Sequence, residues 1–173
     1  PEAPEEMPED QIFADVSAAK PTQQKPTDDA ACLVVLDHPD AAMPVRGSAN
    51  SAGLDVCAAD TVTIPAWCSA TVNTGLKIRP PVGTYARIAP RSGLSLRGID
   101  VHAGVIDRDY TGFVHVQLFN NSDTHFVAEK KTRIAQIVLE KCSDAQPRQV
   151  SSLAETQRSS RGFGSTGMKV QPT

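Results

Sequence analysis

The sequence predicts an all-β fold, a distorted jelly-roll barrel. Short apolar or alternating runs, three to nine residues long, recur along the middle of the chain. Clusters of Gly, Pro, Asn and Ser separate them, and no stretch sustains the 3.6-residue periodicity of a helix. Aromatic residues make up only 5% of the 173, so Val, Ile, Leu and Ala must fill the core.

Each run justifies a strand. Residues 32–36 open the folded body with Cys-Leu-Val-Val-Leu, a buried strand. Residues 62–64, 70–78 and 84–89 follow, with the turn Arg79-Pro80-Pro81-Val82-Gly83 between the last two. Residues 99–106, 113–119, 125–128 and 134–139 complete the set, and residues 120–123 form a turn. Within 113–119, Val114, Val116 and Leu118 share one face, and Phe113, His115, Gln117 and Phe119 share the other. Both faces are partly apolar, which fits a strand packed on both sides and hence a subunit interface. Residues 152–156 are expected to form one helical turn.

Composition sets the domain limits. Residues 1–30 hold eight acids and two lysines, are rich in Pro and Gln, and are expected to be a disordered acidic extension whose partner, if any, is unknown. Residues 31–150 are the expected β-barrel domain, and residues 151–173 a flexible arm. The net charge of −3 divides into −6 for residues 1–30 and +3 for the rest. A mildly basic body suits a small polyanion and falls short of the dense basic patch that nucleic acid demands. No apolar run approaches the ~20 residues of a membrane span, and no basic, apolar leader opens the chain. An intracellular protein is expected, of the nucleus or cytoplasm, with an organelle as the alternative. Cys32, Cys57, Cys68 and Cys142 include no C-x-x-C pair, so free thiols are expected and zinc is not. The four histidines are equally scattered.

Chemistry concentrates in Gly104-Val105-Ile106-Asp107-Arg108-Asp109-Tyr110-Thr111-Gly112. Two apolar residues run into three charges, then an aromatic and a glycine, the pattern of a β-hairpin or β-arch with acids at its tip. A carboxylate there can take a proton from water, and the neighbouring ring can pack on a sugar or base. Near the C-terminus, Arg158-Ser159-Ser160-Arg161-Gly162-Phe163-Gly164-Ser165-Thr166-Gly167 combines mobility, phosphate-pairing guanidinium groups, hydroxyls and a stacking ring. That composition suits a lid over a phosphorylated aromatic ligand.

Five stretches in one order resemble the five motifs of the trimeric dUTP diphosphatases, or dUTPases, over residues 42–167. They are Ser51-Ala52-Gly53-Leu54-Asp55-Val56, Pro90-Arg91-Ser92-Gly93-Leu94, the Gly104 to Gly112 stretch, Arg133-Ile134-Ala135-Gln136 and the glycine-rich tail. The resemblance implies a jelly-roll homotrimer with active sites shared between subunits. It also implies Mg²⁺, and hydrolysis of dUTP to dUMP and diphosphate, which limits uracil in DNA and supplies dUMP for thymidylate synthesis.

The resemblance further implies roles for single residues. Asp107 activates the attacking water. Tyr110 packs under the deoxyribose, and the backbone of Ala103, Gly104 and Val105 reads the uracil edge. Arg91, Ser92 and Gly93 form a phosphate-contacting loop from a neighbouring subunit, and Gln136 reaches the phosphates directly or through water. Asp55 stands behind the site, on metal-bound water or the docked tail, so Mg²⁺ is held mainly by phosphates and water. Phe163 stacks on uracil, while Gly164, Ser165 and Thr166 cradle the γ-phosphate. Arg158 pairs with that phosphate, and Arg161 is auxiliary. The chain departs from the family pattern at Leu54, usually Tyr, and His102, commonly Gly. It also departs at Phe113, often an acid, and at Lys131-Thr132, usually Gly-acid. A dCTP deaminase relative would need a glutamate beside the base, and the 104–112 stretch offers Asp107 instead. A dUTPase-like regulatory or binding protein is the alternative to an enzyme.

Overall fold

In the computed structural model, which describes residues 28–160, the chain is almost entirely β-structure, the distorted jelly roll that its sequence pattern predicts. The strands are β1 (Leu33–Leu36), β2 (Val45–Arg46), β3 (Gly53–Cys57), β4 (Val62–Ile64), β5 (Ser69–Arg79), β6 (Thr84–Ala89), β7 (Ile99–His102), β8 (Val105–Ile106), β9 (Val114–Asn120), β10 (Phe126–Ala128) and β11 (Arg133–Lys141). One short helix, α1 (Ser92–Ser95), lies between β6 and β7. The chain divides into two compact units, Pro1–Cys142 and Ser143–Thr173.

All the strand pairings are antiparallel. One sheet has the order β1-β5-β9-β7, the second β2-β3-β11-β6-β8, and β10 pairs with β4 alone. Both large sheets contribute to a single core: Val72, Leu76, Val114, Val116 and Leu118 from the first, Val56, Ala86, Ile88, Ile134 and Ile137 from the second. The alternation along β9 explains its place at the centre. Val114, Val116 and Leu118 are fully buried, each stabilising the fold by about 1.5–3 kcal/mol, while His115 and Gln117 face outward. Phe113 and Phe119, on that outward face, are half-buried. On the outer side of the second sheet, Glu140 accepts hydrogen bonds from the Tyr85 hydroxyl and from Arg87 Nε, which hold its carboxyl below the usual carboxylate range.

The β5–β9 register shifts between Asn73 and Leu76, and two further breaks in regular pairing position polar side chains. The first lies between β7 and β8. The pattern predicts one strand over 99–106, but Ala103 and Gly104 both take positive φ, 57° and 110°, and break it. β7 pairs with β9 in the first sheet, and β8 pairs with β6 in the second. Residues 103–113 therefore leave one sheet, touch the other and return, which makes the segment an arch and not a hairpin. The Ile88 N–H donates to the Gly104 carbonyl at 2.7 Å, and a Cβ on Gly104 would sit 2.6 Å from the Ile88 carbonyl oxygen. Only glycine fits there.

The second break is a bulge in β11. Its register against β3 shifts between Arg133 and Ala135. Ile134 and Ala135 are consecutive and both fully buried, which an unbroken strand cannot achieve. Past the bulge the alternation is reset, so Arg133 shares the outer face with Gln136 and Asp55 instead of pointing inward.

Three elements escape the pattern: β2, β3 and α1 are too short or too weakly apolar to announce themselves. The helical turn expected at 152–156 is absent. Residues 143–160 are exposed and irregular apart from a turn in which the Ser159 N–H donates to the Thr156 carbonyl. No side-chain periodicity there offers an apolar face to bury, so nothing offsets the cost of nucleating a helix. Most of the expected extension, residues 1–27, and the second half of the expected arm, residues 161–173, lie outside the described residues.

Replacing Gly104 with Ala is expected to destabilise the fold by about 2–4 kcal/mol, since it forces a side chain both into positive φ and against Ile88. Chemical denaturation of Gly104→Ala against the parent measures this. A loss under about 1 kcal/mol would mean that the arch has another way to cross.

Candidate functional site

The arch builds one half of the site. After β8 the chain turns at Asp107–Tyr110, where the Tyr110 N–H donates to the Asp107 carbonyl at 3.2 Å. The Tyr110 ring lies back over Gly112, and its hydroxyl donates to the Phe113 carbonyl at 3.1 Å. This fixes an aromatic face beside an exposed carboxylate. Val105, Ile106, Asp107, Tyr110, Phe113 and His115 line a cavity of about 200 Å³. An adjoining hollow of about 220 Å³ runs along Ala103, Gly104 and Val105 and is closed by Ile88, His102, His115 and Gln117. The ring of His102, the residue that departs from the family pattern, stacks on Phe119 with centroids 4.9 Å apart and planes at 13°.

The second half sits on the outer face of β3 and β11, beside the turn into α1. Asp55, Arg91, Ser92, Gly93 and Gln136 line a separate cavity of about 200 Å³. Asp55 stands directly opposite Gln136 in the β3–β11 ladder. The Gln136 amide lies flat across β3 and donates from Nε2 to the Pro90 carbonyl at 2.9 Å, one residue before Arg91. That position exists because residue 53 has no side chain: a Cβ there would fall 2.0 Å from Gln136 Oε1. Ser92 and Gly93 are exposed at the rim, with the Ser92 hydroxyl and the start of α1 open to a ligand.

The two acids differ in electrostatic state. Asp55 is mostly buried, its side chain 14% exposed, and holds Arg91 through Nε at 2.9 Å and Arg133 through Nη1 at 3.0 Å. Its charge is spent inside the protein. Asp107 is exposed, and no hydrogen bond or ion pair engages its carboxylate among the described residues. One acid is therefore structural in its contacts and the other is available for proton transfer. Cys57, opposite Arg133 in the ladder, has its thiol pushed up by burial and is the less reactive for it.

The two cavities share no residue, so within one chain the structure groups Asp107 and Tyr110 with the arch, and Ser92, Gly93 and Gln136 with the second sheet. Arg158 is exposed and belongs to the second unit. Arg161, Phe163, Gly164, Ser165 and Thr166 lie outside the described residues. Three contributors escape sequence reasoning. His115 lines both arch cavities, Arg133 grips Asp55, and Gly53 makes room for Gln136. The break in alternation at Ile134-Ala135 is the sequence signal for Arg133. Metal ligation has little to build on: no cluster of three or more His, Cys, Asp or Glu side chains is placed to hold an ion among the described residues. A hard cation that keeps most of its waters and binds through a polyanionic ligand fits this donor set, whereas a protein cage does not. No helix among the described residues is long and apolar enough to cross a membrane.

Residues 39–167 match the family model described as dUTPase. The deoxyuridine 5'-triphosphate nucleotidohydrolase of Saccharomyces cerevisiae is 49% identical over 143 residues, covering 82% of this chain and 97% of the yeast protein. That of Oryza sativa is 51% identical over 129 residues, 74% of this chain and 75% of its own. Among solved structures, the dUTPase of Staphylococcus bacteriophage 80alpha with dUpNHpp has a TM-score of 0.74 at 25% identity, covering 79% of this chain and 98% of that one.

A side chain at residue 53 is expected to push the Gln136 amide off the Pro90 carbonyl while the sheet stays formed. Gly53→Ala therefore costs about 1 kcal/mol of stability, and the Gln136 side-chain amide shifts in an NMR spectrum. An unshifted amide would show that Gln136 is held by something other than the space over residue 53.

Proposed function

The chain belongs to the dUTPase family and is a dUTP nucleotidohydrolase, and we propose that its two half-sites are brought together by a second and third copy of the chain. The observation that carries this is the separation of the two cavities. The arch holds an uncommitted acid and an aromatic ring, and the phosphate-sized polar cavity on β3 and β11 holds a hydroxyl and an amide. One nucleoside triphosphate needs both. A homotrimer supplies them when the arch of one subunit meets the Ser92 turn of another.

In this proposal the backbone of Ala103, Gly104 and Val105 reads the uracil edge from a crossing locked by Ile88. Fixed backbone donors and acceptors discriminate strongly, because a wrong base leaves them unpaired. The crowded crossing leaves no room for a methyl on that edge. The Tyr110 ring packs under the deoxyribose and excludes a 2′-hydroxyl. Asp107 takes the proton of a water directed at the α-phosphorus, and dUMP and diphosphate separate. Ser92, Gly93 and Gln136 donate hydrogen bonds to the phosphates where charge builds on the leaving group. Arg158, Phe163, Gly164, Ser165 and Thr166 close over the γ-phosphate and the base, with Arg161 assisting, and keep bulk water out.

Mg²⁺ would be held mainly by the triphosphate and water and would supply neutralisation of phosphate charge. Asp55, shared between two arginines, meets it at most through water. The substrate is a charged nucleotide that does not cross membranes, which supports a site of action inside the cell, in the nucleus, the cytoplasm or an organelle.

Two experiments test the reading. Asp107→Asn is expected to lower dUTP turnover by about 10²–10⁴-fold while a non-hydrolysable dUTP analogue still binds within a few-fold, since the amide keeps the shape and loses the base. Diphosphate release and calorimetry measure the two, and near-parental turnover would remove Asp107 from its role. Sedimentation of the parent is expected to give a trimer at concentrations where it is active. An active monomer would mean that one chain completes the site alone.

A further inference from the structure

The family resemblance assigns Arg91 to the phosphates, together with Ser92 and Gly93, but its contacts in this chain point elsewhere. Its guanidinium has five N–H donors. Nε donates to Asp55 Oδ1 at 2.9 Å, Nη2 to Asp55 Oδ2 at 3.4 Å, and Nη1 to the Arg133 carbonyl at 3.2 Å. The fork is thus spread over one carboxylate and the backbone of β11. Arg133 adds a second guanidinium to the same carboxylate, through Nη1 to Oδ2 at 3.0 Å. Arg91 Nε and Arg133 Nη1 have the closest oxygens, and exposure rises outward from 14% for the Asp55 side chain to 28% for Arg91 and 53% for Arg133.

We propose that Arg91 is a positioning residue: an Arg91–Asp55–Arg133 clasp ties β3 and β11 to the turn that presents Ser92, and the phosphates meet Ser92 and not the Arg91 guanidinium. The backbone of Arg91 explains the leverage. Its carbonyl accepts from the Leu94 N–H at 2.9 Å and the Ser95 N–H at 3.0 Å, so it starts α1. No side chain caps that helix. What holds its first turn in place is the Arg91 side chain reaching back to the sheet. Gln136 supports the same turn from the other side through Pro90. Two guanidinium groups on one carboxylate leave a net single positive charge at the cavity edge, which attracts a polyanion without contacting it. The β11 bulge is what admits Arg133 to this group, because it turns residue 133 onto the face of Asp55.

This inference rests on the reading of the cavity as the phosphate site of a dUTP hydrolase, and the test separates the two. Steady-state kinetics with dUTP are measured for the parent, Asp55→Asn, Arg91→Gln, Arg91→Lys and the double variant Asp55→Asn/Arg91→Gln. The two single neutral variants are each expected to lose about 10–100-fold in kcat/KM, and the double variant no more than about threefold beyond the worse of them. Arg91→Lys is expected to be as poor as Arg91→Gln, because a point charge cannot span the carboxylate and the Arg133 carbonyl. Amide hydrogen exchange at Leu94 and Ser95 is expected to speed up in all of them, a readout that needs no substrate and exposes any variant that fails to fold. Losses that multiply in the double variant would overturn the clasp, as would near-parental activity in Arg91→Lys or unchanged exchange at Leu94 and Ser95. A parent with no dUTP hydrolysis would overturn the reading of the site itself, and the exchange data would still decide the clasp.

Discussion

The hydrogen bond from the Ile88 N–H to the Gly104 carbonyl is the contact on which the arch carrying Asp107 and Tyr110 depends. It pins the chain at the point where it leaves the first sheet for the second, over two residues in positive φ. A strand that continued normally through 103–104 would run on along β9, and Asp107 and Tyr110 would hang off the end of a hairpin in solvent. The crossing instead brings β8 against β6, so the turn after it is braced at both ends. Strain of this kind persists only where the surroundings over-determine it. Here Ile88 is buried in the core and cannot yield.

The same core dictates the cavity on β3 and β11. Ile134 and Ala135 are both buried, and the β11 bulge that allows it rotates Arg133 to the outside. Without that bulge Asp55 would hold one arginine, not two. Packing in the interior therefore selects the charge arrangement on the surface, which is why a motif of four adjacent residues, Arg133 to Gln136, carries both an ion-pair partner and a cavity-lining amide. A strictly alternating strand would present only one of the two on that face.

Much of this was legible in the sequence, and the exceptions have physical causes. The strands over 62–64 and 84–89 coincide with β4 and β6, because their apolar runs end in Pro, Gly or turn residues. β9 was readable from alternation alone, since one of its faces is wholly buried. β3 was not, because Gly53 and Asp55 interrupt its apolar pattern for the sake of the cavity it lines. The break after β7 was hidden for a related reason: Ala103 shows no preference for positive φ, and only the demand of Gly104 on Ile88 imposes it. Helix α1 is four residues long, too short for any periodicity to register. At the candidate site, Asp107, Tyr110, Ser92 and Gln136 were legible as types of residue in a familiar order. That Asp55 is neutralised by two arginines was not, because ion pairing across strands leaves no mark on local sequence.

That neutralisation bears on why a nucleotide hydrolase of this design keeps its carboxylates apart. Substrate with three phosphates repels any bare carboxylate near it, and in a partly desolvated cavity that repulsion is costly. The second sheet meets the cost by placing Asp55 between Arg91 and Arg133, so that the acid organises the cavity without presenting negative charge to it. Asp107 cannot be treated the same way, because a base tied to a guanidinium loses its affinity for a proton. It stays unpaired among the described residues, and the structure sets it on the arch, in a cavity that shares no residue with the one on β3 and β11. Separate cavities let each be built by its own sheet, one with its acid paired and the other with its acid free among the described residues.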